Sequence, residues 1–192
     1  MKIAFSVEGL SDQIAVPIFV RRILKREIEP VFRTRRIGGV RTVLRTLTGF
    51  AWEFWGTDAY GLVVTIDNDE RLPVHDNTHG SHNIVSNCNY CDLLSRLPIL
   101  PDRAPLPPFK VGVGVAVQAL ESWLLADGKM PGPTESMDRK KMKLELYNTT
   151  HPTREHFETI CKPKAEKIDL DFLRKACPSF AFFENSVKTL AN

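Results

Sequence analysis

Short apolar segments alternate with amphipathic segments along this chain, and this alternation constrains its fold more than any other feature. The stretch YGLVVTID, residues 60–67, is a nearly continuous apolar run, which is typical of a strand covered on both faces. Further strands are predicted at residues 2–7, 30–37 and 109–117. Helices are predicted at residues 11–26, 40–55 and 118–127. Strands that alternate with helices predict an α/β fold with a mostly parallel central sheet.

The start of the first helix has two interpretations. Ser11 fits an N-cap for a helix over residues 11–26. Pro17 interrupts that helix, because an interior proline removes a backbone hydrogen bond and costs roughly 3 kcal/mol. The helix therefore either kinks at Pro17, or begins near Val16 and leaves Asp12 on a loop.

The length of 192 residues and the 43 % hydrophobic content are sufficient for one domain with a substantial core. A long loop insertion at residues 70–108 separates the third strand from the fourth. From Asp138 onward the pattern is helical, with segments predicted at 138–147, 153–160, 169–176 and 183–191. We expect an α/β domain over residues 1–130, with a helical C-terminal cap over residues 131–192 packed on it.

Neither a signal peptide nor a membrane span is expected. Strand-like sequence begins at Lys2, and no apolar run approaches the roughly 18 residues that a spanning helix needs. These features predict a cytoplasmic protein with no membrane contact. In a reducing cytoplasm, the CxxC pair Cys88 and Cys91 is more typical of a metal or redox site than of a structural disulfide.

Basic residues are concentrated between Arg21 and Arg45, where nine of them accompany two acidic ones. Arginine forks match phosphate oxygens, so this stretch is a candidate nucleic-acid surface. Within this stretch, the residues predicted to bind nucleic acid are Arg33, Arg35, Arg36 and Arg41. A solvated helix face with no ligand is the alternative interpretation.

Acidic residues recur where the predicted strands end. Glu8 follows the first strand, Asp67 and Asp69 end the third with a spacing of two, and Glu121 follows the fourth. Ligands of α/β sheets bind at the carboxyl ends of the strands. Clustered carboxylates repel one another unless a cation neutralises them, and hard oxygen ligands suit Mg²⁺ or Mn²⁺. Such clusters support phosphoryl transfer, in which two metal ions activate a water and stabilise the leaving oxygen.

The motifs VEGLSD, residues 7–12, and VVTIDNDE, residues 63–70, together resemble the TOPRIM domain. The resemblance is greatest to the nuclease type of the OLD group, and within it to a family of small stand-alone bacterial TOPRIM-like proteins of unassigned function. The later segments VQALESWLLAD, KPKAEKIDLDFLR and CPSFAFF are similar to that family's pattern, so the likeness covers most of the chain.

This resemblance implies a Rossmann-like TOPRIM fold that binds divalent metal. It implies Glu8 as a metal ligand and acid/base residue, with Asp67 and Asp69 as catalytic metal ligands. Asp12 and Glu121 would complete a second metal position. Lys162 and Lys164 are the candidates for the lysine that often assists phosphate chemistry in these nucleases. Many TOPRIM enzymes carry a glycine two residues beyond the DxD pair, whereas this chain reads DERLP; that departure disfavours a topoisomerase or primase.

The insertion contains a second candidate metal site. Five zinc-type donors fall within it: His75, His79, His82, Cys88 and Cys91. Structural zinc sites usually combine a CxxC pair with two further donors, and a long loop would gain from such a crosslink. The spacing matches no established zinc pattern, so a polar surface loop with incidental donors is the alternative.

The leading hypothesis is a Mg²⁺-dependent nuclease for DNA or RNA. By the resemblance, it would act with a separately encoded ATPase, and anti-phage defence is the expected setting; no GxxxxGK[ST] loop occurs in the chain itself. The main alternative is a non-catalytic TOPRIM-scaffold module that binds nucleic acid or a protein. A receiver-like signalling domain is a weaker third hypothesis, because the chain shows no lone phosphoacceptor aspartate followed by small residues.

Overall fold

A parallel sheet forms the centre of the protein in the computed structural model, which describes residues 1–32, 38–54, 57–68, 89–96, 110–129 and 133–191. Within these residues the sheet has the order β2–β1–β3–β4, and every pair of neighbouring strands is parallel. Its strands are β1 (Lys2–Ser6), β2 (Glu29–Phe32), β3 (Gly61–Asp67) and β4 (Lys110–Ala116). The predicted α/β class with a parallel sheet is confirmed.

The strand order changes direction at β1. From β1 the chain moves to one side to form β2, then crosses to the other side to form β3 and β4. Ile3 is therefore paired with Pro30 of β2 and with Gly61 of β3. In open α/β sheets the ligand crevice lies at such a switch point, outside the carboxyl ends of the strands. Here that crevice lies beyond the ends of β1 and β3.

Helices cover both faces of the sheet. They are α1 (Leu10–Leu24), α2 (Gly39–Phe54), α3 (Asn89–Arg96) and α4 (Glu121–Leu125). Successive residues of β1 contribute to opposite layers: Ile3 and Phe5 pack with α1 and the C-terminal helices, whereas Ala4 packs with α2 and α3. Both layers are apolar, which explains why β3 is buried along its whole length.

The chain after Thr134 is helical, as predicted. Its elements are a 3₁₀ turn (Thr134–Ser136), α5 (Arg139–Tyr147), α6 (Arg154–His156), a π-helical turn (Phe157–Cys161), α7 (Lys162–Lys167), α8 (Leu170–Ala176), α9 (Pro178–Lys188) and a second 3₁₀ turn (Thr189–Ala191). Helix α7 packs on α1, and α9 packs on β4. Together with α1 and α4, these helices therefore form one of the two layers that cover the sheet.

Two glycines of β4 determine how closely α9 approaches. A Cβ atom at Gly114 would lie 2.6 Å from Cδ2 of Phe183, and one at Gly112 would lie 3.4 Å from side chains of Leu190 and Val187. Phe183 stacks on Trp123, whose Nε1–H donates to Ser179 Oγ at 2.7 Å. The aromatic layer thus anchors α4 to α9.

Some predicted boundaries were wrong. Helix α1 begins at Leu10 with Gly9 as its N-cap, so Ser11 is not the cap, and Pro17 lies inside the helix. Asp12 consequently sits in the first helical turn and not on a loop. Helix α4 is shorter than predicted, because Gln118 adopts a left-handed φ of 65° that a helix cannot include.

Two further predictions also need correction. Part of the predicted loop insertion, Asn89–Arg96, forms a helix. Helix α9 begins at Pro178 and not at residue 183, because proline fits the first turn of a helix, where an N–H has no helical partner.

The strand predicted at 30–37 is described only over Glu29–Phe32, since residues 33–37 lie outside the described chain. The division near residue 130 stays a prediction.

Within the described residues, no helix combines the length and the apolar character that crossing a membrane requires.

Candidate active site at the carboxyl ends of β1 and β3

Glu8 lies two residues beyond the end of β1 and is only 8 % exposed. Its Oε1 accepts a hydrogen bond from the backbone N–H of Asp67, the last residue of β3. The glutamate therefore bridges the ends of two neighbouring strands at the switch point of the sheet.

Asp67 receives hydrogen bonds from three other segments of the chain. Its Oδ1 accepts the backbone N–H of Leu120 at 3.1 Å, and its Oδ2 lies 3.2 Å from Nη2 of Arg139. Its main-chain carbonyl accepts Nδ2–H of Asn89 at 2.9 Å. The segments before α4, at the start of α5 and at the start of α3 therefore all converge on this one aspartate.

Asp12 lies in the first turn of α1, where its Oδ2 accepts the backbone N–H of Gly9 at 2.8 Å. The approach is close, because a Cβ atom at Gly9 would stand 3.1 Å from that oxygen. Burial, followed by the nearby charge of Glu121, raises the pKa of Asp12 to about 7. The side chain is thus fixed by its helix and costly to ionise in the absence of a cation.

Glu121 is the first residue of α4 and is 4 % exposed. The pKa of Asp67 is raised well above its ordinary value, chiefly by burial and then by the charges of three neighbouring carboxylates. These neighbours are Asp12, Glu8 and Glu121. Four acidic side chains from three parts of the sequence therefore share one poorly solvated space.

Arg139 provides a positive charge at this cluster. It is the first residue of α5, and its side chain is one-third exposed. Its charge lowers the pKa values of both Asp12 and Asp67, which partly offsets the effects of burial and like charge. Sequence reasoning missed Arg139, because DRKK at the start of a helix looks like an ordinary solvated helix terminus.

Tyr147 and Cys161 lie beside the same carboxylates. Burial, followed by the charges of Asp12 and Glu121, raises the pKa of Cys161 to about 12. The pKa of Tyr147 is raised as well, by burial first and by Glu121 next. Both side chains are neutral at physiological pH, so they insulate the cluster from water without adding charge.

Two neutral oxygens at the same edge of the sheet have no hydrogen-bond partner among the described residues. They are Oδ1 of Asn68, which follows β3, and Oε1 of Gln118, which follows β4. Gln118 also adopts a positive φ of 65°, which is uncommon for a non-glycine residue and is a form of strain that concentrates at functional sites. Both amide oxygens add polar groups at the strand ends.

The donors fit Mg²⁺ or Mn²⁺ in kind, since all four are carboxylates. Across the described ranges, however, no three acidic, histidine or cysteine side chains are arranged to hold a metal ion as they stand. Both oxygens of Asp67 are already engaged, by Leu120 and by Arg139. A metal ion would therefore require local rearrangement of these contacts.

The structure brings together Glu8, Asp12, Asp67 and Glu121, as the sequence suggested. Asp69 lies outside the described residues, and so do most of the other candidates: Arg33, Arg35, Arg36, His75, His79, His82 and Cys88. Cys91, the remaining candidate zinc ligand, is buried in the layer formed by α2 and α3. The zinc site stays a prediction.

The described basic residues have different surroundings. Arg41 is exposed on α2, and Lys162 is exposed on α7. Lys164 donates to the carbonyl of Leu124 and to Asp127 Oδ2, at 3.3 Å and 3.1 Å. Arg22, which belongs to the basic stretch, donates to two carbonyls at the end of α7. Lys164 and Arg22 thus hold helices together in this structure.

Comparisons of the chain with protein-family models, with curated proteins and with solved structures found no significant match.

Proposed function

We propose that this protein is a divalent-metal-dependent nuclease that hydrolyses phosphodiester bonds in DNA or RNA. The observation that carries the proposal is the convergence of four buried carboxylates at the switch point of a parallel sheet. A protein that only binds polyanions gains nothing from such a cluster, because without a cation it repels phosphate. The resemblance to the OLD-type TOPRIM nucleases supports the same chemistry.

In this proposal Glu8, Asp12, Asp67, Asp69 and Glu121 hold Mg²⁺ or Mn²⁺. Bound metal supplies an activated water and charge neutralisation at the phosphate. Glu8 is fixed by the N–H of Asp67, which orients its carboxylate to take up and return a proton. The neighbouring Tyr147 and Cys161 exclude bulk water from the carboxylates, which strengthens their interaction with a cation.

The resemblance also suggests the partner and setting. We propose that a separately encoded ATPase acts with this chain, and that the pair works in cytoplasmic anti-phage defence. The cleavage activity would then depend on that partner, whereas metal binding would not.

The test combines metal binding with cleavage. Mg²⁺ and Mn²⁺ are titrated by calorimetry into the wild type, Glu8→Gln and Asp67→Asn, and each protein is incubated with plasmid and with single-stranded nucleic acid. We expect both variants to lose the binding heat, and to lose cleavage under any condition in which the wild type cleaves. Glu145→Gln, an exposed acid on α5, is the control and keeps both.

Metal binding without cleavage would indicate that the ATPase partner is required. Absence of metal binding by the wild type at millimolar concentrations would contradict the proposal.

The second candidate function is a non-catalytic module that binds nucleic acid or a protein. One observation favours it: the ion pair between Arg139 and Asp67 offsets part of the cluster's charge without metal. This candidate predicts nucleic-acid binding in EDTA that Glu8→Gln and Asp67→Asn leave unchanged.

A further inference from the structure

Arg139 contacts Oδ2 of Asp67, an oxygen that a bound metal ion would also use. Oδ2 of Asp67 lies 3.2 Å from Nη2 of Arg139, while Oδ1 accepts the N–H of Leu120. A cation coordinated through Oδ2 would lie within a few ångströms of the guanidinium, and two positive groups that close repel each other strongly. Arginine cannot lose its proton in a protein, so this positive charge can leave only by moving.

The attachment of Arg139 permits that movement. Its backbone is fixed, because Asp138 caps α5 by accepting the N–H of Lys141 at 3.0 Å. Met142 and Tyr147 bury the inner face of the same helix. The Arg139 side chain, in contrast, is one-third exposed, whereas that of Asp67 is 9 % exposed. Within this partly exposed side chain Nε is buried, so displacement requires the guanidinium to turn toward solvent while α5 and Asp67 remain in place.

The position of Arg139 in the chain makes the contact a link between two parts of the molecule. Asp67 belongs to the sheet, and Arg139 lies 72 residues later, at the start of the C-terminal helices. Helix α5 packs directly on α4, whose first residue is Glu121. The arginine therefore enters the carboxylate cluster from outside the sheet, beside another of its members.

We propose that Arg139 is a built-in counter-ion that occupies the metal position at Asp67, so that metal binding requires its displacement. This inference rests on the proposed metal-dependent function and goes beyond it, since it assigns to one residue the control of metal affinity. After its displacement, the guanidinium of Arg139 would remain near the carboxylates, where its planar group could bind a phosphate oxygen of the substrate.

Calorimetric titration with Mg²⁺ and Mn²⁺ tests the proposal at constant pH and ionic strength. The proteins are the wild type, Arg139→Gln, Arg139→Lys and the control Lys140→Gln, which removes an exposed charge from the next position. We expect Arg139→Gln to bind Mg²⁺ roughly tenfold more tightly or more, since no charge-assisted contact must break. Arg139→Lys retains the charge, so its Mg²⁺ affinity should lie between those of the wild type and Arg139→Gln. The affinity of Lys140→Gln should match that of the wild type.

Stability provides a second readout. In EDTA, Arg139→Gln should melt several degrees below the wild type, because the cluster has lost its counter-ion, and saturating Mg²⁺ should raise its melting temperature more than that of the wild type. Unchanged or weaker metal affinity in Arg139→Gln overturns this inference and leaves the proposed function intact. Absence of binding by every protein overturns both.

The wild type itself gives a measurement that does not depend on the folding of any variant. Phenylglyoxal modifies accessible guanidinium groups, and mass spectrometry locates them. Arg139 should react severalfold faster in Mg²⁺ than in EDTA, while Arg41, exposed on α2, reacts equally in both. Equal reactivity of Arg139 in the two conditions would overturn the proposal.

Discussion

At the scale of single residues, burial raises the pKa values of two carboxyl groups in the cluster, Asp12 and Asp67. The pKa of Asp12 is about 7, and the pKa of Asp67 is well above its ordinary value, with burial the main cause in both. A buried acid with a raised pKa binds its proton more tightly in the folded state than in the unfolded state. Their environment therefore couples folding, pH and any bound cation.

The metal-free protein should lose stability as the pH rises. Between pH 3.8, the ordinary value for Asp12, and about 7, the folded state holds a proton that the unfolded state has released, so ionisation favours unfolding. We expect the free energy of unfolding in EDTA to fall by about 1–2 kcal/mol from pH 5.5 to 7.5. Thermal and denaturant melts at the two pH values measure the change.

Asp12→Asn provides the comparison for this pH effect. Its amide oxygen still accepts the Gly9 N–H, but the group no longer titrates, so its stability should change less over the same interval. A wild type that becomes more stable toward pH 7.5, or a variant with an unchanged slope, would contradict the assigned environment of Asp12.

At the scale of elements, the packing of α9 on β4 depends on two glycines of the strand, Gly112 and Gly114. Gly114 faces Phe183 so closely that a Cβ would stand 2.6 Å from the ring, whereas at Gly112 the corresponding contacts are ordinary at 3.4 Å. The aromatic layer of Trp123, Phe180 and Phe183 is fully buried, so it cannot move outward without exposing apolar surface.

Gly114→Ala should therefore destabilise the protein. Overpacking of a filled core costs about 1–3 kcal/mol, which lowers the melting temperature by about 3–10 °C in a protein of this size. Gly112→Ala, on the same strand and facing the same helix, is the matched control and should have a much smaller effect. Equal melting temperatures for the two variants would show that α9 packs on β4 differently.

At the scale of the whole molecule, the basic residues separate into structural and solvent-facing groups. Arg22 and Lys164 bond to helix ends, while Arg41 and Arg45 are exposed one turn apart on α2. Two exposed arginines four residues apart can contact successive phosphates, and each contact with duplex DNA contributes about 0.9 to the salt dependence of binding.

The double variant Arg41→Gln/Arg45→Gln should weaken nucleic-acid binding and reduce the slope of log K against log salt by about 2 for duplex DNA. Fluorescence anisotropy in EDTA, where cleavage is suppressed, measures the slope. Lys140→Gln/Lys141→Gln removes the same charge from exposed positions of α5 and should leave it unchanged. An unaltered slope in the α2 variant would exclude this face as the nucleic-acid surface.

The alternation of apolar strands with amphipathic helices determined the α/β class, the parallel sheet and the placement of Glu8 and Asp67, because parallel strands bring their carboxyl ends to one edge. Local pattern also placed α8 closely, since Asp169 caps it as a typical N-cap residue. Such features depend on neighbours in sequence, and sequence alone reveals them.

Tertiary structure decided the features that depend on contacts distant in sequence. Helix α1 begins at Leu10 and continues through Pro17, within a segment that is buried on one face, although the propensity of proline also allowed a start near Val16. Arg139 reaches Asp67 only because α5 packs on α4, and no local signal separates it from the neighbouring lysines. The sequence determined which acidic residues follow the strands. Folding decided that Arg139 is the cationic residue that contacts Asp67, because the two residues lie 72 positions apart in the chain.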